Sequence, residues 1–385
     1  MNRDQLLEVL DKFGVPSFQH DTASGATLVA IQRGARLIGM FPCCEGKSDN
    51  VLWVNPNIEA ILGGGAPDWE GEGVGGMGGD RLWISPERNF YYKRPREFAD
   101  WFAQKDMDPG SYELTEEDGG LMACRNCSNL KDWLNGRILK NVAMARSLSP
   151  IEDPPVRAGT PAEVLARLSF VGVASTEQIE APAPKKGASA LICPWGLTQV
   201  APPRGDCVGT VVVPTARRAE PVHYFGPIDA DRLKVYDDYV AFKIDSRKIA
   251  KLGVQPEDLA PEGPVRIAYV KPVAPEVGPV PAKAETWLML VRESQDVART
   301  SEGALDPAKA DPDGPRGVIQ SYNHDASGAA RFGEIEMQYL PVRRCDDGVW
   351  RSTVKSRLLA FVGKKSDVLA VASDLLGLEC IDLFE

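Results

Sequence analysis

Two glutamates and a glutamine alternate with apolar residues in the segment Phe332-Gly-Glu-Ile-Glu-Met-Gln-Tyr-Leu-Pro341. In an extended strand, this alternation places Glu334, Glu336 and Gln338 on one face and the apolar side chains on the other. Carboxylates are costly to bury without partners, so these side chains either face water or line a site in which their pKa values are perturbed. The sequence offers several arginines as counter-charges: Arg81, Arg266 and Arg292.

A second stretch, Gly75-Gly-Met-Gly-Gly-Asp-Arg-Leu-Trp-Ile-Ser-Pro-Glu87, is dense in glycine at its start and alternates thereafter. The glycines permit positive φ angles and a close approach to another surface. The alternation predicts a strand with Arg81 and Trp83 on one face. With Asp80 before them and Glu87 after them, these side chains suit a polar, ring-shaped ligand. The alternative is a core strand in which Asp80 and Arg81 form a buried ion pair.

A tryptophan and two histidines lie in further candidate segments. In Cys193-Pro-Trp-Gly-Leu-Thr-Gln-Val-Ala-Pro, Trp195 either stacks on the apolar face of a sugar or is simply a core residue. His223 and His324 carry the side chain with an ordinary pKa near neutrality, although a lone histidine is often structural. We predict that one pocket contains four side chains that are far apart in sequence: Arg81, Trp83, Trp195 and Glu336.

The eight cysteines are too few in a chain of 385 residues to form a disulfide scaffold. Cys124-Arg-Asn-Cys127 has half of a zinc-ribbon spacing, but no second Cys-x-x-Cys and no paired histidines follow it in the sequence. We therefore expect free thiols, no bound metal and no other cofactor.

Charge and composition limit the class of partner. The net charge of -10 argues against nucleic acid or an anionic membrane surface as a partner. No apolar run is long enough to span a bilayer, and residues 1–10 are charged and amphipathic, unlike a signal sequence. The expected location is the cytoplasm, and the expected partner is a small molecule.

Short apolar runs rich in Val, Ile and aromatic residues dominate the chain and are separated by proline and glycine. Such runs predict the antiparallel strands of an all-β sandwich, and examples are residues 168–173, 209–214, 239–244, 265–270 and 286–292. Residues 1–24 are predicted to form a helix and its lead-in, 93–117 a helical insertion and 293–316 a surface loop. A final helix is predicted with Ser366 as its N-cap and a glycine at its end. No boundary divides blocks of different composition, so residues 1–385 are expected to be a single domain.

Three segments together resemble the galactose mutarotase-like superfamily, which includes aldose 1-epimerases and several uncharacterised bacterial families. They are Gly78-Gly-Asp-Arg-Leu-Trp-Ile-Ser-Pro-Glu87, Pro194-Trp-Gly-Leu-Thr-Gln-Val-Ala-Pro and Gly333-Glu-Ile-Glu-Met-Gln-Tyr-Leu-Pro. The resemblance is closest to the uncharacterised members and runs from about Gly25 to the end. It implies a single-domain antiparallel β-supersandwich with a few peripheral helices, which binds carbohydrate on a concave face.

Mutarotases of this superfamily use a glutamate as general base on the anomeric hydroxyl and a histidine as general acid on the ring oxygen. Ile335-Glu336-Met337-Gln338 is similar to their Leu-Glu-Thr-Gln strand, so the resemblance implies Glu336 as the base. Their histidines have no counterpart, because Leu197-Thr198 replaces an Asn-His pair and Asp80-Arg81 replaces a His-bearing loop. His223 and His324 are the candidates for the missing acid, since arginine stays protonated.

The resemblance implies a carbohydrate-binding protein, with aldose 1-epimerase activity on a sugar or sugar derivative as the first expectation. One alternative is a non-catalytic carbohydrate-binding or regulatory protein. Another is a lyase or hydrolase, for which paired carboxylates across a groove are the discriminating feature. The candidate catalytic residues are Glu336, His223 and His324. The candidate ligand-binding residues are Asp80, Arg81, Trp83, Glu87, Trp195, Arg266, Arg292 and Glu334.

Overall fold

A computed structural model describes residues 1–43, 49–64, 76–115, 119–155, 159–183, 192–203, 207–273, 285–325 and 331–384. The strands are, in chain order, β1 (Ser17–Asp21), β2 (Thr27–Ile31), β3 (Arg36–Phe41), β4 (Asp80–Ser85), β5 (Tyr92–Arg94), β6 (Ala99–Trp101), β7 (Glu113–Thr115), β8 (Met122–Asp132), β9 (Arg137–Ile151), β10 (Ser169–Ala181), β11 (Cys193–Val200), β12 (Gly209–Pro214), β13 (Val222–His223), β14 (Leu233–Val235), β15 (Tyr239–Ile244), β16 (Ala250–Val254), β17 (Val265–Pro272), β18 (Thr286–Ser294), β19 (Ile319–Asn323), β20 (Gly333–Gln338), β21 (Arg343–Arg344) and β22 (Trp350–Lys364). The α-helices are α1 (Arg3–Lys12), α2 (Ile58–Leu62), α3 (Glu87–Phe90), α4 (Ala162–Leu165) and α5 (Lys365–Leu376).

The strands form two large antiparallel sheets. A nine-stranded sheet has the order β1-β2-β3-β4-β11-β20-β19-β16-β13. An eleven-stranded sheet has the order β14-β15-β12-β17-β18-β22-β10-β9-β8-β7, with β21 paired to β22. Strands β5 and β6 form a separate two-stranded hairpin. The predicted all-β fold is confirmed.

A large apolar core lies between the two sheets. Ile335 and Met337 of β20 belong to the same buried cluster as Leu290 of β18 and Leu358 of β22. Because successive side chains of a strand point to opposite faces, the polar side chains of β20 point away from this core. We call the face of the nine-stranded sheet that carries Glu336 the site face. The packing of Ile335 and Met337 therefore decides which side of the sheet is available for chemistry.

Helix α1 covers the β2–β3 end of the site face. Asn2 caps the helix by accepting a hydrogen bond from the backbone N–H of Gln5, whose side chain in turn accepts from the backbone N–H of Asn2. Leu6 and Leu10 are buried in one cluster with Ile38 of β3. The predicted helix is confirmed at the start of residues 1–24, and β1 follows it. In the part of the chain that the structure describes, no helix has the length and apolarity that a bilayer span requires.

The C-terminal helix α5 packs on the outer side of the eleven-stranded sheet. Val368 and Val371 lie in a buried cluster with Met289 of β18. The helix ends at Gly377, which has φ +71°, as its sequence predicts. Its N-cap is Lys364, so the prediction of Ser366 as the N-cap was wrong by two residues.

The predicted helical insertion at residues 93–117 is not an α-helix. The described part of it contains all but the first residue of the β5–β6 hairpin, an irregular turn at Asp106–Gly110 and strand β7. Phe98 and Asp100 have positive φ angles of 48° and 58°, which an α-helix does not accommodate. The aromatic residues have a helical spacing in the sequence, but in the structure they pack in and around a hairpin.

The predicted surface loop at residues 293–316 is partly buried. Its first two residues complete β18, and a short 3-10 turn covers Ser301–Gly303. Ala304 and Asp306 are each only 1% exposed. This segment therefore brings a buried carboxylate towards the nine-stranded sheet and is not simply a surface loop.

Gly79 is required where the loop before β4 passes β3. Its φ is +78°, and a Cβ added there would lie 2.4 Å from the backbone oxygen of Leu37. We expect Gly79→Ala to lower the free energy of unfolding by about 2–3 kcal/mol, because strain and a backbone clash combine. Chemical denaturation measures this change.

Gly14→Ala is the matched control for Gly79→Ala. Gly14 also has a positive φ, +62°, but nothing lies within 4 Å of an added Cβ. The control should therefore lose about 1 kcal/mol, the cost of the left-handed conformation alone. Equal losses in the two variants would show that the close approach at Leu37 has no energetic importance.

Candidate active site

Glu336 lies on the site face among side chains from neighbouring strands. In the register of the sheet, Glu336 of β20 is directly opposite Leu197 of β11 and Gln320 of β19. Arg81 of β4 is opposite Leu197 and therefore lies on the same face. The adjacent row of opposed residues adds further side chains to this face: Trp83, Trp195 and Gln338. The four side chains predicted to share a pocket thus share one face of the sheet.

The carboxylate of Glu336 is fully buried and held at one oxygen. Its Oε2 accepts a hydrogen bond of 3.2 Å from the indole Nε1 of Trp195 and lies 3.0 Å from Nζ of Lys251. Its Oε1 has no hydrogen-bond partner among the described residues. One oxygen is therefore oriented by the protein, while the other retains unused hydrogen-bonding capacity among the described residues.

Lys251 of β16 is the cation around which several acidic groups lie. Its side chain is 5% exposed, and its Nζ lies 3.7 Å from Oε2 of Glu87 as well as close to Glu336. The backbone N–H of Glu87 donates a 2.8 Å hydrogen bond to Oδ1 of Asp306. Nε2 of Gln320 lies 3.4 Å from Oδ2 of Asp306. A single ammonium thus compensates more than one carboxylate.

Burial and mutual repulsion perturb the pKa values of this cluster. Burial raises the pKa of Glu336 to about 7, with Lys251 opposing the rise and Glu334 and Glu87 adding to it. Burial and the charge of Glu87 raise the pKa of Asp306 to about 6. Burial alone would lower the pKa of Lys251, but the charges of Glu336, Glu87 and Asp306 outweigh it and raise the pKa. The carboxyl groups of Glu336 and Asp306 therefore change their protonation state near neutral pH.

Arg81 interacts with the first glutamate of β20 and with a tryptophan of its own strand. Its Nη2 donates a 2.8 Å hydrogen bond to Oε1 of Glu334. Its guanidinium carbon lies 4.3 Å from the ring centroid of Trp83. The alternative of a buried Asp80–Arg81 pair is therefore not the arrangement in the structure.

Four aromatic side chains, which we call the aromatic group, lie beside the carboxylates: Trp83, Tyr91, Trp101 and Trp195. Ring centroids are 4.8 Å apart for Trp83 and Tyr91, 5.9 Å for Trp83 and Trp195, and 6.2 Å for Tyr91 and Trp101. Trp101 is 37% exposed, and its Nε1 donates a 2.9 Å hydrogen bond to Oε1 of Glu87. Through Trp101, the aromatic group thus presents apolar ring surface to solvent next to the carboxylate of Glu87.

His223 lies on the opposite face of the sheet from Glu336. It is opposite Leu252 of β16, whose neighbour Lys251 carries the site-face side chain. Its Nδ1 accepts a 3.0 Å hydrogen bond from the backbone N–H of Ile228, and burial lowers its pKa. His223 is therefore corrected from a candidate acid to a residue of the sheet edge.

His324 lies directly after β19 and remains near the site face. Its Nδ1 is 2.7 Å from the hydroxyl of Tyr322, which is opposite Glu334 in the register. Its ring stacks on Phe332 with centroids 4.9 Å apart. Burial lowers the pKa of His324. Of the two candidate histidines, the structure brings only this one towards the glutamates.

Three charged residues predicted to bind ligand lie away from the site face. Asp80 is buried between the sheets and pairs there with Arg146 and Arg292. Since Asp80 directly precedes Arg81 in β4, it must face the interior when Arg81 faces outward. Arg266 belongs to the eleven-stranded sheet, where its Nε donates a 2.7 Å hydrogen bond to Glu293. These side chains stabilise the fold and do not line the site.

Sequence reasoning missed three polar residues of the site, Lys251, Asp306 and Gln320, and two aromatic residues, Tyr91 and Trp101. A signal existed for Lys251, because a lysine within the apolar strand Ala250–Val254 must be paired if it is buried. Asp306 follows an irregular segment and has no such pattern. Its place in the site depends on contacts between distant parts of the chain.

Cys124 and Cys127 of β8 differ in environment. Cys124 is buried, and burial raises its pKa to about 11, whereas Cys127 is exposed. Residues three apart in a strand point to opposite faces, so the two thiols do not converge. In the described ranges, no group of three or more His, Cys, Asp or Glu residues is arranged to hold a metal ion.

Several solved structures are similar to this chain at low sequence identity. The chain is similar to a galactose mutarotase-like protein from Lactobacillus casei, with 10% identity, a TM-score of 0.38 and coverage of 91% of this chain and 99% of that chain. It is similar to a protein from Synechocystis, with 10% identity, a TM-score of 0.44 and coverage of 91% and 96%. It is also similar to a galactose mutarotase related enzyme from Lactobacillus acidophilus, with 8% identity, a TM-score of 0.40 and coverage of 92% and 98%.

The sequence itself has one informative match. No curated protein is significantly similar to it. Residues 45–262, more than half of the chain, match a family described as a family of unknown function. The chain therefore belongs to the family of unknown function DUF6786.

Proposed function

We propose that this protein binds a sugar or sugar derivative on the site face and that Glu336 is the general base of an aldose 1-epimerase reaction. The observation that carries the proposal is the asymmetric environment of the buried Glu336 carboxylate. Trp195 and Lys251 hold Oε2, whereas Oε1 is without a partner among the described residues. A carboxyl group with a pKa raised to about 7 can accept a proton and return it near neutral pH. The resemblance of the Glu336 strand to the mutarotase base strand supports the same role.

His324 is the acid in this proposal. Epimerisation requires a second group that protonates the ring oxygen while Glu336 removes the proton of the anomeric hydroxyl. His324 is joined to Tyr322 by a 2.7 Å contact, and Tyr322 is opposite both Glu334 and Lys251. The exposed ring of Trp101 provides a surface on which the apolar face of a sugar can stack.

We expect the protein to accelerate the exchange of anomers for at least one aldose, measured by NMR exchange spectroscopy over a panel of sugars. The rate should pass through a maximum with pH and fall on both sides, because the active form needs Glu336 ionised, with its pKa of about 7, and His324 protonated, although burial lowers the pKa of His324. His324→Gln should lower the rate by about 100-fold.

His223→Gln is the matched control for His324→Gln, since it makes the same change on the opposite face of the sheet. It should leave the rate unchanged. Equal effects of the two substitutions would remove His324 from the mechanism. Sugar binding without any acceleration would favour the non-catalytic alternative.

One observation favours glycoside hydrolysis as a second candidate. Carboxylate oxygens of Glu336 and Glu87 both lie within 3.7 Å of the same lysine Nζ, so two carboxyl groups occupy one site. Glycosidases use such a pair as acid and as base or nucleophile. Release of nitrophenol from aryl glycosides that is lost in both Glu336→Gln and Glu87→Gln would support this candidate. Anomer exchange without glycoside cleavage would exclude it.

A further inference from the structure

Several buried polar atoms without partners among the described residues lie next to Glu336. Gln338 is fully buried, and neither Oε1 nor Nε2 of its amide has a hydrogen-bond partner among the described residues. Oε1 of Gln320 on the adjacent strand and Oε1 of Glu336 also have no hydrogen-bond partner among the described residues. Native proteins pair most buried polar atoms, so unpaired ones grouped on one face need an explanation, and a polar ligand that supplies the missing partners is one.

These atoms lie on one face of two neighbouring strands. Gln338 follows Glu336 by two residues in β20, and Gln320 is directly opposite Glu336 in β19. Gln338 is in turn opposite Trp195, whose indole orients the carboxylate of Glu336. A ligand hydroxyl bound by Glu336 would therefore have the amide of Gln338 as its neighbour along the strand.

The chemistry of an amide suits a hydroxyl group. Gln338 offers a donor and an acceptor, and a sugar hydroxyl both donates and accepts hydrogen bonds. A site whose buried polar groups hydrogen-bond a ligand hydroxyl discriminates strongly against an analogue that lacks this hydroxyl. With such an analogue, the polar groups of the protein are left unpaired. Gln338 can thus distinguish a ligand that has a hydroxyl beside the anomeric centre from one that lacks it.

The charge of the site disfavours an anionic ligand. Lys251 contacts the carboxylates of Glu336 and Glu87, with Asp306 hydrogen-bonded to the backbone of Glu87. Arg81 of β4, a second cation on this face, is paired with Glu334. These side chains contain more carboxylates than cations. A phosphate or carboxylate brought beside them would be repelled in surroundings of low dielectric.

We propose that Gln338 is a specificity-determining residue that binds one hydroxyl of the ligand beside the hydroxyl bound by Glu336, and that the site takes sugars without an anionic group. This inference rests on the proposed function, since it names the class of sugar that the same site binds. It adds a selection by hydroxyl position and by charge that Glu336 alone does not provide.

The charge selection is tested with the parent protein and a matched set of ligands. Titration calorimetry at low ionic strength compares a neutral aldose that binds with its 6-phosphate and with the corresponding uronic acid. We expect both anionic sugars to bind at least about tenfold more weakly. Equal or tighter binding of either one would overturn the charge selection. Anomer exchange could still depend on Glu336 in that case, so the two proposals fail separately.

The hydroxyl selection is tested with Gln338→Met and with monodeoxy sugars. The parent should bind one analogue of a monodeoxy series at least about tenfold more weakly than the complete sugar. Gln338→Met should bind the complete sugar more weakly and no longer distinguish it from that analogue. Methionine removes two unpaired polar atoms at similar volume, so the variant should be as stable as the parent.

Gln178→Met is the control, because Gln178 of the eleven-stranded sheet bonds Glu180 and Thr353 at the surface. It should retain the discrimination of the parent. A parent protein that binds every monodeoxy sugar as tightly as the complete one would overturn the role of Gln338, whatever the stability of the variant. Retained discrimination in Gln338→Met would overturn it as well.

Discussion

Glu336→Gln is expected to lower the rate of anomer exchange by about 10²–10⁴-fold. Glutamine has nearly the same size and can still accept the hydrogen bond that Trp195 donates to Oε2 of Glu336. It cannot take the proton of an anomeric hydroxyl, because an amide oxygen is a hydrogen-bond acceptor and not a base near neutral pH. Exchange spectroscopy on the best aldose of the panel measures the rate, and calorimetry measures the affinity for the same sugar. We expect the rate to change far more than the affinity.

Glu180→Gln is the control for this experiment. Glu180 belongs to β10 of the eleven-stranded sheet, where its Oε1 accepts a 2.8 Å hydrogen bond from Nε of Arg351. The same chemical change is made there at a distance from the site face, and the rate of exchange should remain that of the parent. An exchange rate in Glu336→Gln equal to the parent rate would show that another group is the base.

The face on which each site residue lies depends on a local pattern. Alternation along β20 and β4 separates Glu336 and Arg81 from their apolar neighbours, and the structure has the same alternation. The same rule shows why Asp80 could not join Arg81 on that face. Predicting both residues in one site overlooked that a shift of one residue moves a side chain to the other side of a sheet.

The partners of Glu336 could not be read from such patterns. Lys251 reaches it because β19 lies between β20 and β16 in the sheet, and Asp306 because the loop after β18 returns to the same region. Both facts are pairings between distant parts of the chain. The sequence of a strand shows how its side chains alternate, but it does not show which strands lie beside it.

Trp101 illustrates a different limit. Phe98, Trp101 and Phe102 have a helical spacing in the sequence, yet Phe98 and Asp100 have positive φ angles and Trp101 lies in a hairpin strand. Local propensity is a weak guide where tertiary contacts hold the backbone. Here a hydrogen bond from Trp101 to Glu87 is one such contact.

Lys251→Met is expected to lower the free energy of unfolding by about 3–5 kcal/mol at neutral pH, because it removes the cation of a buried ion pair. Methionine retains much of the volume that the lysine stem fills beside Trp195. Without the ammonium, Glu336 is left with a buried charge or must take up a proton, and its pKa should rise further. Chemical denaturation measures the loss of stability.

The loss should grow with pH. In the parent, the pKa values of Glu336 and Asp306 are about 7 and about 6, above their ordinary values of 4.5 and 3.8. The unfolded chain therefore releases these protons at lower pH than the folded protein, so these two groups lower stability as pH rises from about 4 to about 7. Lys251 stabilises the folded protein through the ionised carboxylates beside it, whose charges raise its pKa, so its contribution is largest once Glu336 and Asp306 have lost their protons. Removing it should cost little at pH 4 and most at pH 8.

Lys248→Met provides the matched control, and the double variant Lys251→Met/Glu336→Gln isolates the pair. Lys248 lies three residues away, and its Nζ is 2.6 Å from Asp229 with both side chains about half exposed. Exposed pairs contribute about 0–1 kcal/mol, so Lys248→Met should have a small effect at every pH. In the double variant, the amide needs no counter-charge, and part of the stability lost in Lys251→Met should return. If Lys251→Met were no more destabilising at pH 8 than at pH 4, the buried carboxylates would not depend on this lysine for their charge, and its role as the cation of the site would be wrong.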